Sequence, residues 1–198
     1  MTDGYDHDIF LSFPRAGTAF DWVCNHFHPI LEKTLTDELG TEPEIYVYTE
    51  QETGVAWPEN LAASLRRSRY LVAVWAPTYF RSPWCLAEWE SMRQRERQLG
   101  LRTEEQPRGL VYPVVYRDGV SFPEQAKQIF TGKGDLSRWA YPSPIFEKTA
   151  EYVKFYKAMR VIAEELAGWL TVAPEWQPDW PVVRPDPGPA PPLPQPRL

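Results

Sequence analysis

The sequence predicts an α/β protein built on a parallel sheet with helices on both faces. Apolar runs of strand length alternate along the chain with segments in which apolar residues recur at helical spacing. The run RYLVAVWA at residues 69–76 has almost no polar residue, which is typical of a parallel strand covered on both faces. This alternation favours a doubly wound, flavodoxin-like sheet of five strands in the order 2-1-3-4-5.

Each element has its own signal in the sequence. Strands are predicted, in chain order, at residues 7–13, 44–48, 69–76, 109–116 and 136–141. Helices are predicted over residues 20–40, 58–67, 82–99, 123–130 and 145–170. Pro29 is expected to kink or break the first helix, because proline has no amide hydrogen to donate. Pro113 lies within the fourth strand, which places that strand at an edge or near its end.

Length and composition bound the domain organisation. A chain of 198 residues favours a single folded domain, which we assign to residues 1–172. Ten of the last 25 residues are proline, which predicts an extended, disordered tail over residues 173–198 that is dispensable for folding. For this tail a linker or a disordered segment is favoured over a recognition motif.

The charge pattern and the apolar runs exclude several partners. The net charge is -6 and no basic patch stands out, so no nucleic-acid partner is expected. No apolar run approaches the ~18 residues of a membrane span, so no membrane partner is expected. The polar, acidic residues 1–8 do not resemble a secretory leader. Cys24 and Cys85 are expected to be reduced thiols, and the alternative that the sequence leaves open is a disulfide between them. These features together favour a cytoplasmic location.

The stretch RSPWCLAEWESM, residues 81–92, carries the candidate chemistry. Ser82 is a good N-cap and Pro83 suits the first helical position, so a helix is expected to begin here. Glu88 falls on the stripe of this helix that should face inward, and Trp84 lies one turn before it. A flat apolar plate beside a single carboxylate can hold a planar ring and stabilise a cation. The alternative is that Glu88 only complements the helix dipole and that Trp84 belongs to the core.

The predicted fold brings this helix to a cleft. Ligands of doubly wound sheets bind outside the carboxyl ends of the strands, where the strand order reverses, and that point lies here between strands one and three. The loop after strand two is near enough to act as a lid. The groups expected at the cleft are Ser12, Phe13 and Arg15 after strand one, Gly54 and Trp57 after strand two, and Ser82, Trp84 and Glu88 after strand three.

Several other chemistries are not indicated. Neither a G-x-G-x-x-G nor a G-x-x-x-x-G-K-[ST] phosphate-binding loop is present. His26 and His28 are two residues apart on a helix and point in different directions, so they cannot hold one metal ion, and no metal site is predicted. Glu88 and Glu90 diverge in the same way, so this helix does not supply the paired carboxylates of a glycosidase.

Four segments, in order, resemble the TIR (Toll/interleukin-1 receptor) domain family over roughly residues 5–170. YDHDIFLSF at residues 5–13 is similar to the first box of the family, and the Gly54 loop followed by SLRRSRY is similar to the second region. SPWCLAE at residues 82–88 is similar to the S-x-W-C-x-x-E segment of the plant and bacterial branch. PVVY at residues 113–116 also fits, which explains the proline in strand four.

The resemblance implies one of two functions, because some TIR domains are self-associating adaptors and others cleave the nicotinamide–ribose bond of NAD. A tryptophan four residues before the glutamate is similar to the catalytic, bacterial type. The resemblance therefore implies an NAD glycohydrolase or cyclase (an NAD+ nucleosidase) in stress signalling or antiviral defence. NAD is then a substrate, no cofactor or metal is needed, and Glu88 is the catalytic acid. The substrate-binding residues implied in the same way are Ser12, Phe13, Arg15, Trp57 and Trp84.

Self-association through the loop around Gly54 is the partner interaction that the resemblance implies, with other TIR proteins as further partners. The alternative is a non-catalytic TIR interaction module in which Glu88 merely caps a helix. A third interpretation is a scaffold that carries the proline-rich tail for another domain. The sequence leaves open whether the product is ADP-ribose, a cyclic isomer or a base-exchange product.

Overall fold

The computed structural model describes residues 4–15, 17–48, 59–117, 122–130 and 132–185. Their strands are β1 (His7–Ser12), β2 (Ile45–Val47), β3 (Ser68–Trp75) and β4 (Val111–Val115). These strands form one parallel sheet in the order β2-β1-β3-β4. The predicted α/β fold with a parallel sheet is confirmed, as is the order of these four strands.

Helices pack against the sheet. Within the described residues they are α1 (Thr18–Trp22), α2 (His28–Leu39), α3 (Glu59–Arg66), α4 (Pro83–Gln98), α5 (Glu124–Ile129) and α6 (Ala150–Leu170). A π-helical turn, Val23–Phe27, joins α1 to α2, and Pro29 lies in the first turn of α2. The predicted interruption of the first helix near Pro29 is confirmed, and this turn accommodates the missing amide hydrogen. Among these helices, none is both long and apolar enough to cross a bilayer.

The sheet has a core on each face, because successive strand residues point to opposite sides. On one face Ile9 and Val72 belong to a cluster with residues of α1, α2 and α6. On the other face Phe10 and Leu71 belong to a cluster with residues of α3, α4 and α5. β3 is buried along nearly its whole length, as its apolar sequence predicts.

The predicted fifth strand is not formed in the described residues. Where a strand was expected at residues 136–141, the chain makes a single bridge between Val115 and Asp135 and then a 3-10 turn, Ser137–Trp139. The segment still runs beside the end of β4, because the amide of Leu136 donates to the carbonyl of Val115 at 3.0 Å. The prediction of five strands is therefore wrong for the part of the chain that the structure describes.

The outer edge of β4 gives the physical reason for the missing strand. The amide of Val111 donates to Glu96 Oε1 at 3.1 Å, and the carbonyl of Val111 accepts from Arg102 Nη2 at 2.6 Å. Pro113 has no amide hydrogen. Side chains and a proline thus occupy the positions at which a neighbouring strand would bond, and only the end of β4 at Val115 pairs further.

Residues 173–185, called the C-terminal strap below, contact the domain although their composition indicates a free tail. Trp180 is 2% exposed, and its ring centroid lies 4.1 Å from the guanidinium carbon of Arg95 on α4. Arg95 is fully buried and donates to the carbonyls of Ser68 at 3.0 Å and Leu65 at 3.3 Å. Burial lowers the pKa of Arg95 to about 10. Trp180 therefore shields a buried guanidinium from water.

Hydrogen bonds attach the C-terminal strap near both of its ends. The Tyr5 hydroxyl donates to the carbonyl of Pro174 at 2.8 Å, and the amide of Val183 donates to Ser91 Oγ on α4 at 2.8 Å. Residues 173–185 are therefore not a free tail, and whether they are dispensable for folding stays a prediction. The domain boundary at residue 172 stays a prediction, and residues 186–198 lie outside the described residues.

Trp180→Ala is expected to destabilise the protein, because it empties a packed site and exposes the Arg95 guanidinium. Loss of a buried tryptophan costs about 3 kcal/mol or more, which lowers Tm by roughly 6–12 °C in a chain of this size. Thermal unfolding measures the change. Val172→Ala is the matched control, since Val172 is 59% exposed and its truncation should leave Tm nearly unchanged. Equal Tm values for the two variants would contradict a structural role of the strap.

Candidate active site

The candidate site lies at the carboxyl ends of the central strands, where the cleft was expected. Ser12 is the last residue of β1 and pairs in register with Ala73 of β3. Helix α4 begins at Pro83 because Ser82 caps it, and Ser82 Oγ accepts from the amide of Cys85 at 3.3 Å. This N-cap, predicted from the sequence, is confirmed, and it fixes the residue at which α4 begins.

Glu88 lies on the buried face of α4, with only 1% of its surface exposed. The inward position predicted from its helical spacing is therefore confirmed. Ser12 Oγ donates to Glu88 Oε2 at 2.6 Å, and Arg15 Nη2 donates to Glu88 Oε1 at 3.1 Å. One carboxylate thus binds a hydroxyl from the end of β1 and a guanidinium from the loop that follows.

Burial raises the pKa of Glu88 to about 7, while Arg15 and then Ser12 act in the opposite direction. Burial disfavours the charged form of a carboxyl group, whereas a nearby cation and a hydrogen-bond donor favour it. Near neutral pH the group is therefore divided between its acid and carboxylate forms. A group in this state can stabilise a cation and can also exchange a proton.

The guanidinium of Arg15 lies in an aromatic corner, formed by the rings of Tyr48 and Trp84. The guanidinium carbon is 4.3 Å from the Tyr48 ring centroid and 4.6 Å from a Trp84 ring centroid, and the two rings are 6.2 Å apart. The planes of the two rings are inclined to each other by 39°, and the rings form two neighbouring walls beside the guanidinium. Ring faces attract cations. The aromatic corner and Glu88 together hold a flat positive charge.

Tyr79 reaches the carboxylate indirectly. It lies in the 3-10 turn Tyr79–Arg81 after β3, is fully buried, and places its hydroxyl oxygen 2.9 Å from Ser12 Oγ. Sequence reasoning missed both Tyr79 and Tyr48 as site residues. The signal that could have found them is position, because each follows a strand whose carboxyl end meets the cleft.

The structure brings together four of the six residues predicted for the site, which are Ser12, Arg15, Trp84 and Glu88. Phe13 is buried in the core on the opposite face of the sheet from α4, with its ring centroid 6.0 Å from that of Phe20. Its role in substrate binding stays a prediction. Trp57 and Gly54, predicted for the lid, lie outside the described residues.

Neither a reactive thiol nor a metal-binding cluster accompanies the acid among the described residues. Burial raises the pKa of the Cys85 thiol, which keeps it protonated and poorly nucleophilic. The described residues include no group of three or more His, Cys, Asp or Glu side chains that could hold a metal ion. The chemistry that the described groups supply is that of one buried carboxyl facing a planar cation.

The described residues thus form a parallel α/β sheet with a buried acid on the helix that follows its third strand. The sequence profile of the TIR domain matches residues 9–131, and the chain belongs to the TIR domain family. Among solved structures the chain is similar to the crystallised TIR domain of the Toll-related receptor TRR-2 from Hydra magnipapillata. The identity is 17% and the TM-score is 0.42, over 78% of this chain and 98% of that chain. No curated protein sequence matches the chain.

Glu88→Gln is expected to stabilise the protein at alkaline pH. A carboxyl whose pKa is raised on folding contributes stability that is fully present below about pH 4.5 and is lost as the pH rises through 7. Glutamine carries no charge at any of these pH values. The gain in the free energy of unfolding should therefore be near zero below pH 4.5 and on the order of 3 kcal/mol at pH 8.

Thermal or denaturant unfolding at several pH values measures this difference. Glu90→Gln is the matched control, because the Glu90 side chain is 42% exposed and pairs with Arg97 at the surface. Its effect should stay small and should not grow between pH 4.5 and 8. A Glu88→Gln effect that is equally independent of pH would show that burial does not raise the pKa of this carboxyl.

Proposed function

We propose that the protein cleaves the nicotinamide–ribose bond of NAD, as a glycohydrolase or cyclase. The observation that carries the proposal is that the buried Glu88 carboxylate faces an aromatic corner holding a planar cation, the guanidinium of Arg15. TIR domains include signalling adaptors and NAD-cleaving enzymes, and this site chemistry favours an enzyme.

The nicotinamide ring of NAD has the properties that the aromatic corner already accommodates. It is flat, aromatic and positively charged, so the faces of Tyr48 and Trp84 can contact it while Glu88 supplies the opposite charge. Because Arg15 occupies the corner, the ring enters when Arg15 moves aside. Arg15 Nη1 is buried and has no hydrogen-bond partner among the described residues. The displaced guanidinium is then suited to bind the diphosphate of NAD.

Cleavage breaks the bond between the ribose C1 atom and the ring nitrogen of nicotinamide. The electron pair of that bond goes to the ring nitrogen, so nicotinamide leaves as a neutral molecule and the ribose becomes an oxocarbenium-like cation. The Glu88 carboxylate stabilises this cation and binds ribose hydroxyl groups. Attack by water gives ADP-ribose, whereas attack by an adenine nitrogen of the same molecule gives a cyclic product. In the hydrolytic case Glu88 accepts the proton that water loses.

We further propose that self-association, or contact with another TIR protein, completes the site. The loop that contains Gly54 and Trp57 follows Tyr48, and Tyr48 is one wall of the aromatic corner that holds Arg15. Gly54 and Trp57 follow Tyr48 by six and nine residues, so binding of a neighbouring molecule to this loop is proposed to act on the site through Tyr48. A cytoplasmic role in defence or stress signalling is part of the same proposal.

A non-catalytic interaction module is the second candidate function, and one observation favours it. Arg15 and Glu88 form an ion pair in which the acid is 1% exposed and the guanidinium side chain 19%. Such a pair also serves to hold α4 against the loop after β1. On this alternative, substitutions of Glu88 change stability and association while NAD remains intact.

NAD turnover by the full-length protein tests the proposal directly. Glu88→Gln preserves the shape of the side chain but removes the charge that stabilises the ribose cation. It should lower turnover by roughly 10²-fold or more, as loss of one preorganised electrostatic group does. Chromatography of NAD, nicotinamide and ADP-ribose products over a range of protein concentrations measures the rates. Specific activity should rise with concentration, because association is proposed to complete the site.

Glu90→Gln, two residues further along α4 and on a different side of the helix, is the matched control and should retain the parent rate. Trp84→Ala should impair both KM and kcat, because it removes one wall of the aromatic corner. If NAD stays intact at every protein concentration, the enzyme proposal is contradicted and the interaction module is favoured. Equal rates for Glu88→Gln and the parent would remove Glu88 from the chemistry.

The aromatic corner should prefer a cationic ring to a neutral one. At pH 8 we expect 1-methylnicotinamide, a cation, to bind about tenfold more tightly than nicotinamide, which corresponds to ~1.4 kcal/mol of cation–π and charge attraction. Titration followed by tryptophan fluorescence measures both affinities. The preference should decrease in Glu88→Gln, which removes the charge but keeps both aromatic walls, and it should persist unchanged in Glu90→Gln. Equal binding of the two ligands by the parent would contradict a charge-selective corner.

A further inference from the structure

Three side chains form a continuous hydrogen-bonded chain that ends on the candidate acid. Tyr79 Oη lies 2.9 Å from Ser12 Oγ, and Ser12 Oγ lies 2.6 Å from Glu88 Oε2. All three side chains are buried, with exposures of 0%, 1% and 1%. They come from three separate elements, namely the turn after β3, the end of β1 and helix α4.

When Glu88 is ionised, the donor and the acceptor of each hydrogen bond between Tyr79, Ser12 and Glu88 are fixed. A carboxylate only accepts hydrogen bonds, so the single hydrogen of Ser12 points to Glu88. The oxygen of Ser12 is then left to accept, and the donors within reach among the described residues are the Tyr79 hydroxyl, at 2.9 Å, and the Cys85 thiol, a weak donor. Hydrogen bonds in such a chain polarise one another, so the donation by Tyr79 strengthens the donation by Ser12.

Tyr79 is well suited to be a fixed donor. The 3-10 turn that carries it begins with a hydrogen bond from the Tyr79 amide to the carbonyl of Ala76 at 2.9 Å, and its ring packs on Phe80 at 5.3 Å between centroids. Burial raises the pKa of Tyr79 well above its ordinary value, so the hydroxyl keeps its hydrogen. The same ring cannot turn its hydroxyl to water, because it is fully buried.

We propose that Tyr79 is a positioning residue for Glu88, which acts through Ser12 to hold the carboxylate ionised and in one orientation. Among the described residues, the other titratable or charged groups that face Glu88 are Arg15, from the loop after β1, and Cys85, from its own helix. Arg15 must leave the carboxylate for a substrate to enter. Tyr79 and Ser12 then remain as the fixed donors on the acid. The catalytic meaning of this role rests on the proposed function, whereas the effect on Glu88 itself does not.

Tyr79→Phe removes one oxygen and preserves the ring. Without its donor, Ser12 gives a weaker hydrogen bond to Glu88, and the charged form loses stabilisation. We expect the pKa of Glu88 to rise by about 0.5 to 1 in this variant. The matched control is Tyr112→Phe, which also removes a tyrosine hydroxyl that donates to a carboxylate, that of Glu165 at 2.8 Å, away from the site. It should leave the pKa of Glu88 unchanged.

An NMR titration of the full-length protein, labelled with ¹³C at the glutamate carboxyl carbon, measures this pKa without any substrate. Glu88→Gln identifies the resonance by removing it. Ser12→Ala cuts the chain in the middle and should raise the pKa at least as much as Tyr79→Phe. In the Ser12→Ala background, Tyr79→Phe should add nothing further. An unchanged pKa in folded Tyr79→Phe, or full additivity of the two substitutions, overturns the proposal.

Ser12→Ala alone decides the matter if Tyr79→Phe does not fold, because an unchanged pKa of Glu88 in that variant also overturns the proposal. The pH dependence of NAD turnover is a second test of the role of Tyr79. Tyr79→Phe should shift the acidic limb of kcat/KM to higher pH, with a loss of about three- to tenfold at pH 6.5 and less than twofold at pH 9. A uniform loss at all pH values indicates a merely structural role and overturns the proposal. Absence of NAD cleavage by the parent defeats the proposed function alone, and the NMR titration still tests Tyr79.

Discussion

Burial of the Glu88 carboxylate is the constraint on which the carboxyl end of the sheet depends. An ionisable group with 1% of its surface exposed is unfavourable unless charge and hydrogen bonds compensate it. The compensation comes from both sides of the topological switch, with Ser12 and Arg15 from the β1 end and Tyr79 from the turn after β3. Arg15 in turn is held by aromatic faces. These contacts join helix α4 to the end of β1, to the loop after β1 and to the turn after β3, and all of them centre on the Glu88 carboxylate.

Much of the site could be predicted from the sequence, because the rule that places it needs only the order of the strands. Ser12 and Arg15 follow strand one and Glu88 follows strand three, so a doubly wound sheet brings them together. Position after a strand marks Tyr48 and Tyr79 as candidates by the same rule, but it does not assign them to the site. A tyrosine beside a buried strand is equally expected in a core, and only the contacts of its ring or hydroxyl distinguish the two roles.

The fold differs from the predicted one where contacts between residues far apart in the sequence outweigh the local sequence pattern. Residues 136–141 have a weak strand pattern, but side chains from α4 and its following loop already occupy the outer backbone of β4. The proline-rich composition after residue 172 predicts an extended backbone. It does not indicate whether an aromatic residue such as Trp180 finds a partner, and here a buried arginine on α4 provides one. The helix that carries Glu88 is thus braced by a segment outside residues 9–131, the part that defines the family.

Copies of this protein can crowd together without fusing their sheets at β4. An open sheet edge normally exposes a ladder of amide and carbonyl groups that another chain can extend, which is the origin of fibrillar aggregation. At β4 the groups of Val111 bond to Glu96 and Arg102, and Pro113 offers no amide hydrogen. A TIR domain that gathers at high local concentration meets the conditions that favour such growth. Because this edge is blocked, a second copy cannot extend the sheet at β4, and a contact between copies has to use another surface.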